Sequence, residues 1–450
     1  MKQSNDDEQL VLLYGELKEM SKHYQKGHQG AYVKECTHYW YNVLKDNLTK
    51  HYEDVLKLIQ WPFSSGTEYS PPSKEALTKF NNLTRYVFLI DEPDDPNTAS
   101  VDQFGPEKLP CLPVKILLRP IKKRFVFHFT GTRQTARIDR PEWFLTQTLT
   151  WIKDHQDFVR TNVQPVADKL ELKNVNAVDE FNDGLISLAA ERLHTVLALY
   201  HSGTQDEIVD VDAAFAHAVD ETLGFHKELN VLIGRDTNNV LSVLTKAETF
   251  IKWLGVEKKY ALAKIDESLE NPQWYEGVGA GAGAATGAAL WVPRASDLFV
   301  TLIKTIEDRN SVLPQPGHRL QFLELQLELM EEWRVRLTQL MSAALMAMNT
   351  DTFLPANSSS DPLTGVINAA HHTRTVLLQW AHSLHYLQLH YYRRQFQHFV
   401  QQNHQDEDSE TTSSSEDDDD DDDYDSEDEL PRKYKSSSTA DCESDDAMSL

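Results

Sequence analysis

Apolar residues recur along most of this chain at spacings of three and four, the period that lines one face of an α-helix. Over residues 31–60, Val33, Trp40, Val43/Leu44, Leu48, Val55 and Leu58/Ile59 keep that spacing with charges between them. Trp61-Pro62-Phe63 ends the run, because proline disfavours helical geometry in the residue before it. Loops follow at 64–75 and 91–113, rich in Pro, Ser and Asp, and Asn82 to Ile90 between them reads equally as a short strand or a helix. A helix starting at Pro120 would place Ile121, Phe125 and Phe129 on one buried face and leave Lys122, Lys123 and Arg124 partly solvated. Asp139-Arg140-Pro141-Glu142 is a helix start, with proline and an acid in the first turn. That helix carries Trp143/Phe144, Leu149, Trp151/Ile152 and Phe158, with Gln147 and Thr148 outward.

Amphipathic runs continue at about 179–201, 207–234 and 238–270. Ser296 is the expected cap of SDLFVTLIKTIEDR, whose Leu298, Phe299, Leu302, Ile303 and Ile306 share a face. Pro314 and Pro316 precede a helix over 318–348 with a stripe of Leu320, Leu323, Leu327, Met330, Leu337 and Met341. From Asp361 to Gln402, Val366, Ala370, Thr373, Leu377, Trp380, Leu384, Leu387 and Tyr391 predict one long helix with a one-sided seam, packed antiparallel on the 318–348 stripe. No βαβ alternation occurs, so the expected fold class is all-α, with elongated, stacked helical bundles. The expected organisation is an N-terminal helical segment (1–63), a loop-rich connector (64–115), a central helical bundle (116–275), a Gly/Ala-rich linker (276–294), a second helical bundle (295–402) and a disordered acidic tail (403–450).

Charge sharpens the picture at the C-terminus. The formal net charge is −26, and from Asp406 onward 20 acids face three basic residues, a net of −17; the preceding residues therefore hold −26 + 17 = −9. A run such as Asp417 to Asp423 repels itself and buries no apolar area, the mark of a disordered segment. Ser413, Ser414, Ser415 and Ser426 each have an acid three residues later, the pattern of acidophilic kinases. Cys36, Cys111 and Cys442 are widely separated and suit a reducing compartment. The opening MKQSNDDEQL is unlike a signal peptide, and no stretch approaches the roughly 18 apolar residues of a membrane span, so membrane association is expected to be peripheral.

The motifs that could carry chemistry fail their own requirements. GVGAGAGAATGA (277–288) has no Lys-Ser/Thr after it, no strand before it and the wrong glycine spacing, and reads as a flexible insertion. His371, His372, His382, His385 and His390 lack a third ligand at useful spacing, and Glu331/Glu332 read as a solvated helix face. No nucleophile or kinase signature occurs. No catalytic, cofactor-binding or metal-ligating residue is assigned, no cofactor is expected, and the expectation is a non-enzyme. The basic, aromatic segment 117–129 could serve single strands only if its rings stood exposed beside the charge. Core packing of Phe125 and Phe129 is the expectation, with no direct nucleic-acid binding.

Four longer stretches say more. LLRPIKKRFVFHFTGTRQTARIDRPEWFLTQTLTWI (117–152) resembles the signature segment of the RINT/TIP family, that of the Rad-fifty-interacting protein and its yeast Tip counterpart. HYWYNVLKDNLTKHYEDVLKLIQWPF (38–63), FIKWLGVEKKYALAKID (250–266) and RLQFLELQLELMEEWRVRLTQLM (319–341) resemble further family stretches in the same order. The resemblance implies stacked bundles of the CATCHR type. It also implies a non-enzymatic subunit of the Dsl/NRZ vesicle-tethering complex at the endoplasmic reticulum, acting in Golgi-to-ER retrograde transport. The implied partners are the zeste-white-ten-like and NAG-like subunits and SNARE proteins of the endoplasmic reticulum, and the implied location is cytoplasmic, peripheral to that membrane. The alternative it carries is a nuclear interaction protein in the DNA-damage G2/M checkpoint. Family members begin with a coiled coil and continue with more bundle past the position of Phe399; this chain starts downstream of the first and turns acidic at the second.

Overall fold

The computed structural model describes residues 6–24, 27–63, 72–91, 109–131, 133–202, 210–237, 239–278, 291–350 and 362–411. Among them every regular element is helical: α1 (Asp7–His23), α2 (Gly27–Leu58), α3 (Lys74–Ile90), α4 (Leu112–Phe129), α5 (Pro141–Asn162), α6 (Gln164–Lys169), α7 (Ala177–Ser202), α8 (Val211–Ile233), α9 (Asn239–Leu244), α10 (Ala247–Glu270), α11 (Arg294–Asn310), α12 (Pro316–Thr350), α13 (Pro362–Ala381) and α14 (Leu384–Thr411). A 3₁₀ turn, Gln134–Ala136, lies between α4 and α5. The chain divides into two compact units, 1–392 and 393–450; of the second, the end of α14 is described. The Gly/Ala stretch from 279 on, the phosphorylation candidates and the poly-aspartate tail fall outside the described residues.

Within the first unit, helices pack mainly on helices at most three positions away in the chain order. The first three form a bundle, α3 meets α4 and α6, α7 meets α4, α5 and α9, and α10 leads through α8 on one side to α11 and α12 on the other; α13 closes on α11 and α12. Rings weld the first part of this series. Trp61 stands 4.7 Å from His155, 5.2 Å from Phe158 and 6.0 Å from Phe181, and its indole N–H donates to the Leu117 carbonyl at 3.0 Å. That joins the end of α2 to α4, α5 and α7 in a region where Ile116, Leu117, Ile121 and Ile152 are fully buried.

The helix beginning at Pro120 in the sequence reading begins at Leu112 instead, with Pro120 inside it. The free backbone N–H groups at a helix start need acceptors. Here Cys111 N–H reaches the Glu180 carboxylate at 2.8 Å and Leu112 N–H the Asp91 carboxylate at 2.9 Å. Carboxylates from α7 and from the end of α3 thus anchor the start eight residues upstream, and no local signal encodes them. Asn82 to Ile90 is helical, as part of α3, whose cap is Ser73. Thr148, expected outward, is buried and returns its hydroxyl to the Phe144 carbonyl at 2.8 Å.

Three expectations in the C-terminal half are corrected. Ser296 does not cap α11: the helix starts at Arg294 after Pro293, and the buried Ser296 hydroxyl donates back to the Pro293 carbonyl at 3.0 Å, while Leu298 is exposed. The buried face of α12 carries Phe322, Leu323, Leu325, Leu329, Trp333 and Leu337; Leu323 and Leu337 of the expected stripe are thus buried, whereas Leu327 and Met341 are exposed. Apolar residues cover so wide an arc of this helix that two stripes satisfy the period; the bulkiest rings decide which faces in, with Trp333 stacked on Phe299 at 4.6 Å. The single helix over 361–402 is two, because α13 ends at Ala381 and α14 starts at Leu384. His382 and Ser383 close the turn with N–H bonds to the carbonyls three residues back, at Gln379 and Trp380. The seam stops there: Val366 and Thr373 are buried and Trp380 half-buried, whereas Ala370, Leu384, Leu387 and Tyr391 are exposed. One further run, 238–270, is also two helices, α9 and α10.

Candidate interaction surface

The second half of α4 divides cleanly by face. Ile121, Phe125 and Phe129 point inward, with Phe125 5.2 Å from Phe129 and both rings edge-on to Phe144 of α5. Trp151 of α5 lies 6.2 Å from Phe125. These large rings stand between the two backbones, so a groove opens where the helices separate. Its cavity, ≈ 660 Å³, is walled by Phe63, Arg124, His128, Trp143, Gln147 and Trp151 among others. The outer arc of α4 presents Lys122, Lys123, Val126 and Phe127 to solvent, and Phe127 is 53% exposed. The guanidinium of Arg133 covers that ring at 4.1 Å from its centroid, within cation–π range.

The connector that follows, TGTRQTARIDRPEW, is held from behind by α7. The buried Arg192 guanidinium donates to the Ala136 carbonyl at 3.0 Å and the Tyr200 hydroxyl to the Ile138 carbonyl at 2.7 Å. Burial among rings and backbone pushes the Tyr200 phenol well above its ordinary range and draws Arg192 downward. Arg137 chelates Asp139 through two N–H bonds at 2.8 and 2.5 Å. Glu142 accepts from Arg140 at 3.4 Å and shares a hydrogen bond with the His217 ring at 3.1 Å. The acids of the segment are therefore engaged, while Lys122 and Lys123 have no hydrogen bond or ion pair among the described residues. Arg192 and Tyr200 escaped the sequence reading, since residues some sixty positions away betray no spacing to the connector they hold.

A second groove, ≈ 500 Å³, runs between α8, α10 and α11 over Trp253, with Tyr260 and Lys264 on its wall. Arg309 bridges it, meeting Glu257 at 2.7 Å and Asp220 at 3.0 Å. The grooves are open and shallow in chemistry: neither gathers a nucleophile, a base and an oxyanion donor. Of the histidines singled out, His371, His382 and His390 are exposed, and His385 leans inward with its pKa lowered by burial. Glu331 and Glu332 pair with Arg334 and Arg336 on the surface of α12. Among the described residues no group of three or more His, Cys, Asp or Glu could hold a metal ion. No described helix is long and apolar enough to cross a membrane.

Comparison with known proteins follows this geometry. A RINT1-like protein of Drosophila melanogaster is 34% identical over 374 residues, 80% of this chain and 47% of that protein. The protein transport protein tip20 of Schizosaccharomyces pombe is 24% identical over 50% of this chain and 28% of its own length. The RINT1-like protein MAG2 of Arabidopsis thaliana is 19% identical over 62% of this chain and 37% of its own length. A chain in the crystal structure of the SNARE Sec20 bound to the Dsl1 complex subunit Tip20 aligns over 85% of this chain and 59% of that one, with 11% identity and a TM-score of 0.48. This chain thus spans about half the length, or less, of the relatives it matches. The family profile covers residues 112–435, which takes in the α4 groove, its connector and both stretches that resembled the family further along. The chain belongs to the RINT-1/TIP-1 family.

Proposed function

We propose that this protein works without turnover, as a subunit of a vesicle-tethering complex at the endoplasmic reticulum that acts in the return of Golgi-derived vesicles. Family membership over residues 112–435 carries the reading. The name of the fission-yeast relative, a protein transport protein, supports it. So does the kind of surface on view: open grooves and exposed helical faces suit contact with other proteins, not the enclosure of a small substrate. Its partners in this reading are the other tether subunits and SNARE proteins of the endoplasmic reticulum, which would hold it at the cytoplasmic face of the membrane without a span of its own.

The test is depletion of the protein in cells while a cargo bearing an ER-retrieval signal is followed. Retrieval should slow, cargo should accumulate beyond the endoplasmic reticulum, and re-expression should restore the rate. Normal retrieval kinetics in cells verified to lack the protein would overturn the proposal.

A further inference from the structure

We infer that the groove between α4 and α5, with Arg124 and His128 on its wall and Lys123 at its rim, forms a docking site for a short acidic segment of a partner protein, one that carries a bulky aromatic side chain. The site is a local exception to the charge of the chain. Residues 115–140 contain eight Lys and Arg against one acid, Asp139, a net of +7; the other residues before Asp406 therefore sum to −9 − 7 = −16. A positive patch on so negative a surface selects an anionic partner and orients its approach. Among the described residues Lys123 has no hydrogen bond or ion pair, and Arg124, on the wall of the groove itself, reaches only the Pro62 carbonyl, at a long 3.5 Å; Lys122, two positions before Arg124, faces away from the groove. Glu142, the carboxylate inside the groove, is already occupied by Arg140 and His217.

Shape narrows the partner. From Pro120 through Arg124 to His128, on the groove side of α4, the helix rises eight residues, about 12 Å at 1.5 Å each, which about four extended residues would match. Beside that track the groove offers Trp143, 40% exposed, together with Phe63 and Trp151. Rings of this kind accept an inserted aromatic side chain. A flat anionic membrane would touch the lysines and leave the groove empty. A single-stranded nucleic acid would need free ring faces, and the exposed ring nearest the lysines, Phe127, is capped by Arg133.

The measurement is fluorescence anisotropy of a labelled peptide of about twelve residues, five consecutive acids beside one tryptophan, titrated with the full chain. It goes beyond the tether reading and does not depend on it, so peptide binding and cargo retrieval fail independently. Saturable binding that weakens with added salt is expected. Lys123→Glu with Arg124→Glu should weaken it at least about tenfold, a change of roughly 1.4 kcal/mol or more. Trp143→Ala should weaken binding of the tryptophan peptide several-fold and leave unchanged the binding of a peptide with alanine in its place. All three positions are exposed, so an unaltered melting temperature certifies the fold; Lys123→Gln with Arg124→Gln serves if charge reversal lowers it. No saturation up to about 1 mM, or equal affinity after charge reversal, would refute the site. Tighter capture of phosphatidylserine vesicles or of a single-stranded oligonucleotide, abolished by the same charge changes and not competed by the peptide, would refute it as well.

Discussion

At Gly365 and Gly184 a single added methyl group would meet very different neighbours. A Cβ on Gly365 would lie 2.4 Å from Cβ of Tyr275, an atom tied directly to the backbone. On Gly184 it would lie 2.3 Å from a terminal methyl of Leu118, which can rotate away. Both glycines sit in helices, where alanine is favoured by roughly 1 kcal/mol. Gly365→Ala should therefore lose about 1–3 kcal/mol in urea unfolding, the scale of overpacking, and Gly184→Ala should be close to neutral. Equal losses at the two sites would contradict this account. His155 supplies a second prediction. It is fully buried, its Nδ1–H donates to the Trp151 carbonyl at 2.7 Å, Nε2 has no partner, and the ring stacks on Phe63. Burial, partly offset by that hydrogen bond, lowers its pKa below the ordinary value, and burial moves His226 and His318 the same way. The unfolded chain then binds protons more readily, so this stability is intact above about pH 6.5 and is lost as pH falls below it. Each group contributes at most about 1.4 kcal/mol per pH unit. Between pH 7.5 and 5.5 the urea midpoint should fall, and His155→Leu should reduce the slope.

Individual helices show how far periodicity can be read. For α4 the inward set Ile121, Phe125, Phe129 was legible, because i, i+4, i+8 spacing admits one face. Phe125→Ala should cost about 3–5 kcal/mol, whereas Phe127→Ala, on the exposed side, should cost under about 1 kcal/mol. The ratio of the two losses, measured by chemical unfolding, checks the facing directly. For α12 spacing alone admitted two stripes, and contact with α11 and α13 selected the one through Trp333, whose indole N–H also reaches the Thr373 hydroxyl at 3.2 Å. Trp333→Ala should accordingly lose about 3–5 kcal/mol. Trp380→Asp should lose less, since the half-buried position lets a carboxylate turn to water.

Across the described part of the first unit, buried residues from Val11 to Ala369 form one contiguous core even though each helix packs on elements nearby in the chain order. Contacts of that kind couple nearby elements strongly and remote ones weakly. Phe125 belongs to the rings between α4 and α5, and Trp333 to the stack with Phe299 on α11. The two share no ring partner, so the Phe125→Ala, Trp333→Ala double variant should lose the sum of the single losses to within about 0.5 kcal/mol. A larger departure in chemical unfolding would show that the two regions communicate through the core.

The sequence by itself determined the all-α class, the helix start at Pro141, the inward face of α4 and the family, because periodicity, proline placement and long ordered motifs are local properties of the chain. The tertiary structure decided what depends on partners distant in sequence. Glu180 and Asp91 anchor α4 at Leu112, and Arg192 and Tyr200 hold the connector. The break at His382 and Ser383 lay hidden, since no proline or glycine marks it. The groove was equally invisible: the same spacing that buries Phe125 and Phe144 says nothing of how far apart two rings hold their helices. Only the packed rings set that separation, and with it the groove that Arg124 and His128 line.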